Sequence, residues 1–197
     1  MAFGRPLTRN SIRTAFLFII FLLAAMQGVV LAQNGDSVDQ GWTVEPREGR
    51  FFYLTHGTVV AGHEFGFFKD PQGDCNDDTL WLSFSSSEEK VKDFVGKEVV
   101  FLLDVDGKNF RIKLPMLTAN TLASTQVMMF TNISPEKQLM DSLMNGHNVK
   151  VRAVEPKEFE ALMDIKEDQF GLAGFIASRK EAETACRSHP TDMEEKK

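Results

Sequence analysis

The sequence predicts a mainly β fold with C-terminal helices: an antiparallel, β-sandwich-like single domain with one disulfide. Three observations carry that expectation. Thr79–Ser85 alternates, with Leu80, Leu82 and Phe84 on one face and Trp81, Ser83 and Ser85 on the other. That is the period of a strand with one buried face. Glu98–Val105 and Lys108–Leu114 are strand-like runs joined across Asp106-Gly107, two residues that tolerate the positive φ of a hairpin turn. The helical patterns come late, which suits an antiparallel sheet or sandwich with helical additions.

In chain order, Arg5, Arg9 and Arg13 precede an apolar run from Ala15 to Met26, and Val30-Leu31-Ala32 closes it. This is the pattern of a secretory signal peptide, residues 1–32, with cleavage expected between Ala32 and Gln33. A spanning helix needs about 20 apolar residues, and Gln27 and Gly28 interrupt the run, so no stable membrane anchor is expected after cleavage. Polar, turn-rich residues 33–41 read as a flexible lead-in. The globular domain is placed at residues 42–186, opening at Trp42-Thr43-Val44.

Arg50 to Val60 reads as strand, with Ala61-Gly62 turning it back into His63–Lys69. Residues 70–74 are a loop leading to Cys75. After Thr79–Ser85, the charged stretch Ser86–Phe94 is a loop or one helical turn. Beyond the Asp106-Gly107 hairpin, Thr125–Thr131 is another strand. Ser134 as cap and Pro135 at the first position predict a helix through Leu139, Met140, Leu143 and Met144, stopping at Gly146. Val149–Val154 is a strand and Pro156–Leu162 a short helix. Gly171 to about Cys186 is a helix with Leu172, Phe175, Ile176 and Ala182 inside. Residues 187–197 form a charged, loose tail.

Composition narrows the function. Removing 32 of 197 residues leaves 165, ample for one core. The leader takes three of the 22 basic residues and none of the 28 acids, so the net charge moves from −6 to −9. No basic cluster remains to meet nucleic acid or an anionic membrane surface. Thirteen phenylalanines lie beyond the leader, against one tyrosine and two tryptophans for the whole chain, and phenylalanine of that kind reads as interior. Cys75 and Cys186 are the two cysteines. In an oxidising compartment an isolated pair is most simply a structural disulfide.

The candidate chemistry is sparse. Asp74, Asn76 and Asp78 suggest the first positions of a calcium loop, but Thr79 replaces its glycine and Ser85 its closing glutamate. His56, His63, His147 and His189 form no paired ligand motif. Met140 and Met144 at helical spacing read as core rather than copper ligands. No Gly-x-Ser-x-Gly elbow and no phosphate-cradling loop occurs, although a triad can be assembled from distant residues. No catalytic, metal-binding or cofactor residues are therefore assigned.

Asp168-Gln169-Phe170-Gly171-Leu172-Ala173-Gly174-Phe175-Ile176-Ala177, followed by Cys186, resembles the closing Phe-x-Leu-x-Gly-Phe-x-Ala motif of small exported proteobacterial proteins of the invasion-associated locus B family. The likeness spans Cys75 to Cys186. It departs at the opening strand, where several members carry a cysteine. The resemblance implies a periplasmic, non-enzymatic β-rich domain and carries over no catalytic residue. The leading expectation is a periplasmic or secreted binding or accessory domain whose partner is an unknown protein or envelope component. The alternative is a periplasmic hydrolase or metal-dependent enzyme with a loop-built site near His56, His63 and the Asp74–Asp78 loop. An open sheet edge or exposed apolar patch would favour the first, and a cleft with converging histidines and carboxylates the second.

Overall fold

A computed structural model describes residues 41–132 and 134–189. Among them are strands β1 (Thr43–Arg47), β2 (Arg50–His56), β3 (Glu64–Lys69), β4 (Thr79–Ser86), β5 (Glu98–Val105), β6 (Lys108–Leu122), β7 (Thr125–Asn132), β8 (Asn148–Glu155) and β9 (Asp168–Gly171). Helices α1 (Lys137–Asn145), α2 (Lys157–Ala161) and α3 (Phe175–Ser188) accompany them. The expected signal peptide, the lead-in up to residue 40 and the tail from residue 190 lie outside the described residues. No helix among the described residues is long and apolar enough to cross a membrane.

The strands form one antiparallel sheet in the order β1-β2-β3-β4-β7-β6-β5-β8-β9. β6 joins its two halves. Its first part pairs with β5, and from Met116 its second part pairs with β7, with a register shift between Met116 and Thr118. A bulge of this kind bends a strand and lets it change sheets. The sheet folds back on itself until its ends meet, with Trp42 Nε1 donating to the Gly171 carbonyl at 2.9 Å and the Thr58 amide to that of Gln169 at 2.9 Å. This is the sandwich-like, mainly β architecture that the alternating strands predict.

The core is aromatic, as the phenylalanine count implies. Phe84 on β4 meets Phe101 on β5 at 5.9 Å and Phe170 on β9 at 6.4 Å, so the two halves touch through rings. Phe101 and Phe130 pack edge-on at 4.9 Å. All four rings are buried, and each contributes about 1.5–3 kcal/mol by leaving water. A second, smaller cluster of Phe52, Leu54 and Phe68 under Trp81 sits on the other face of β2, β3 and β4.

Helix α3 packs on β1, β2 and β3. Its buried stripe is Phe175, Ser178, Ala182 and Cys186, a spacing of three and four residues. Phe175 packs at a tilt against Trp42, ring centroids 4.8 Å apart, and Cys186 bonds to Cys75 across a Cα separation of 5.9 Å. The expected disulfide is present.

Several boundaries move. Ile176 is 57% exposed rather than inside, because the helix starts at Phe175 and its next residue turns about 100° away from the stripe. Gly171 belongs to β9, which pairs with β8, and the chain turns helical only after Gly174 at φ 96°. Arg187 and Ser188, placed in the tail by the sequence, complete the helix. α1 starts at Lys137 and not at Pro135. Glu136, at φ −58° and ψ 145°, is extended, so the helical turn begins only after it. β2 ends at His56, so residues 57–63 form a loop rather than a tight turn.

Candidate functional site

The β5–β6 hairpin sets the geometry of one candidate surface. Asp106 and Gly107 have φ of 47° and 91°, as a two-residue type I′ turn requires, and the Asp104 carboxylate accepts the Gly107 amide at 2.6 Å. In such a hairpin the flanking pair, Val105 and Lys108, exchanges hydrogen bonds, and alternate pairs follow suit. Phe110, Ile112 and Leu114 therefore turn their backbone groups toward β5. The Met116 amide donating to the Lys97 carbonyl at 3.0 Å keeps the same phase. Asn109, Arg111 and Lys113 turn theirs the other way.

On that other side β7 pairs with β6 from Met116 to Leu122. Among the described residues no strand pairs with the outer edge of Lys108–Leu114. Beside the edge runs a groove of about 420 Å³. Phe110, Ile112 and Leu139 supply its apolar lining, and Arg111, Lys113, Glu136 and Gln138 its polar rim. Ser134 and Pro135, which fail to start the helix, line its far wall.

The face around this edge is basic in an acidic protein. Arg111 and Lys113 share it with Lys150 and Arg152 on β8, against Glu98, Asp104 and Glu155, an excess of one positive charge. Arg111 donates to Glu155 at 2.8 Å, but both side chains are more than half exposed, so the pair contributes little.

A different geometry surrounds His63. Its Nδ1 lies 2.9 Å from Asp168 Oδ2, and its Nε2 lies 3.0 Å from Ser85 Oγ. The carboxylate also accepts the amides of Val59 at 2.9 Å, Val60 at 3.1 Å and Gln169 at 2.7 Å. Burial pushes the Asp168 carboxyl up, but hydrogen bonds from His63 and the Val59, Gln169 and Val60 amides outweigh it and hold it below its usual value. An ionised carboxylate only accepts, so Nδ1 donates to it and Nε2 faces the serine hydroxyl. The order of groups is that of an activated serine. Both the imidazole and the carboxylate are completely enclosed, however, and a β-carbon at Gly57 would run into Asp168. What the arrangement does here is fasten the 57–63 loop to β9 and β4.

The sequence-suggested residues do not converge. His63 closes the loop just before β3 and the Asp74–Asp78 loop follows the other end of that strand, about 20 Å away at strand rise. His56 ends β2, with its buried Nδ1 lacking a hydrogen-bond partner. His147 is exposed beside Asp106, and Met140 and Met144 pack into the core. Asp74 and Asn76 receive the Arg187 guanidinium at 3.2 and 2.8 Å. Among the described residues no group of three or more His, Cys, Asp or Glu is placed to hold a metal ion.

Asp78 leaves the loop for the interior. Its Oδ1 takes the Tyr53 hydroxyl at 2.5 Å and the Lys69 ammonium at 2.6 Å. Its Oδ2 takes Arg179 Nε at 2.9 Å and Nη2 at 2.6 Å. Burial raises this carboxyl, yet hydrogen bonds from Arg179, Lys69 and Tyr53 hold it below the ordinary range. Burial, and then the neighbouring Asp78 charge, push the Tyr53 phenol well above its own. The network ties α3 to β2, β3 and β4.

Compared with known proteins, the chain matches no family model, no curated protein and no solved structure.

Proposed function

We propose that this chain is an exported binding or accessory domain, periplasmic or secreted, that acts through contact with a protein of the cell envelope. The observation that carries the reading is the outer edge of Lys108–Leu114, which pairs with no strand among the described residues, beside its groove. Exposed edges invite pairing with other chains, and proteins normally cover or blunt them. The leader-like N-terminus, the disulfide and the resemblance of the closing segment to exported proteins support the compartment.

A second reading, a hydrolase using Ser85, has the Ser85–His63–Asp168 geometry in its favour. The enclosure of His63 weighs against it, because a general base must reach both the nucleophile and the leaving group.

One experiment separates the two. A photo-reactive residue at position 113 is expected to crosslink to a single envelope protein in cells exporting the domain. The same residue at Lys180, exposed on α3, should give no such product. Purified protein is expected to leave a fluorophosphonate probe unreacted. Labelling at Ser85 without a position-specific crosslink would move the assignment to the hydrolase.

A further inference from the structure

Resting on the protein-contact reading, the geometry points to the way in which the partner binds. We propose that an extended segment of the partner protein, alternating acidic and apolar residues, adds to β6 as an extra antiparallel strand along Asn109–Lys113. Three residues there present both an amide and a carbonyl outward, which gives about six backbone hydrogen bonds to an antiparallel strand. Pro115, next in the outward phase, has no amide to offer. The template therefore runs from Asn109 to Lys113 and stops before β6 meets β7.

Strand geometry then fixes the partner's chemistry. Residues opposite Arg111 and Lys113 share their face and sit about 5 Å away at Cβ, where carboxylates are favoured. The intervening residues share the face of Phe110 and Ile112 and point into the groove beside Leu139, where apolar side chains are favoured. A second copy of this chain is the wrong occupant. Pairing β6 with itself about a two-fold axis would bring Arg111 and Lys113 of one copy against the same residues of the other, like charges across the new ladder.

The test uses full-length exported protein and two synthetic seven-residue peptides, one alternating glutamate with valine and one alternating lysine with valine. Backbone amide shifts are recorded by NMR, with peptide at millimolar concentration. The glutamate peptide is expected to shift the amides of residues 109–113, 134 and 136–139, and the lysine peptide to bind about tenfold more weakly. The double variant R111E/K113E should reverse that preference, which a purely structural change would not do. Methylating the peptide nitrogens that face β6 should abolish binding. Shifts centred elsewhere, equal binding of both peptides, no binding, or tolerance of methylation would each overturn strand addition. A partner crosslinked at position 113 while the amides of Asn109, Arg111 and Lys113 stay unprotected would also overturn it, yet leave the protein-contact reading standing. Absence of any such partner removes both.

Discussion

Replacing Asp78 by alanine is expected to destabilise the domain by about 3–5 kcal/mol, the usual cost of removing one partner from a buried ion pair. Lys69 is 1% exposed, and its ammonium would keep only the Asn76 carbonyl at 3.2 Å. Arg179 is one-third exposed and can turn to water, so the stranded charge is chiefly that of Lys69. In a domain of this size the loss corresponds to a fall in melting temperature on the order of 10 °C. Removing both charges, as in K69M/D78L, should recover most of it, because an apolar pair leaves no unpaired ion. The difference also depends on pH. The folded carboxyl lies below its unfolded value of about 3.9. Its contribution is therefore complete above that value and is lost as the pH falls through the folded one. Urea unfolding at neutral pH and in acid measures both effects. A single variant within 1 kcal/mol of the parent, roughly the worth of an exposed pair, would contradict this role for Asp78.

Replacing Cys186 by serine is expected to have an effect of similar size through the unfolded state. The bond joins residues 111 apart, and the chain-entropy model assigns about 4–5 kcal/mol to a loop of that length. The native fold should survive, since α3 is also held by Phe175, Ala182 and the Arg179–Asp78 pair. The variant and the reduced parent are thus expected to unfold at the same denaturant concentration, both well below the oxidised parent. Equal stability of the variant and the oxidised parent would contradict the structural role of the bond.

What the sequence made legible was local. Alternation marked β4, the Asp-Gly pair marked the β5–β6 hairpin, and two cysteines behind a leader-like N-terminus marked the disulfide. Glu48-Gly49 also turns a hairpin, between β1 and β2, with φ of 50° and 77°. It went unread because a glutamate there carries no turn signal. Gly171 was read as the start of the last helix, whereas pairing to β8 makes it the end of β9. The larger omissions concern partners far apart in the chain. His63 and Asp168 are separated by 105 positions, and nothing near either one announces the other. Lys69 read as the end of a strand and Asp78 as a loop acid, and their pairing went unread because burial of an ion pair depends on which strands flank it. The edge of β6 that no described strand pairs with was equally hidden. The hairpin pattern gives a strand its first neighbour, while the second neighbour, and where that pairing ends, is a property of the whole topology.

The most direct measurement is amide hydrogen exchange along β6 in the free protein. Slow exchange at Phe110, Ile112 and Leu114, with fast exchange at Asn109, Arg111 and Lys113, is the expected alternation for a strand bonded on one side only. Uniform protection of all six would mean that the outer edge is already paired, and the binding surface proposed for this domain would not exist.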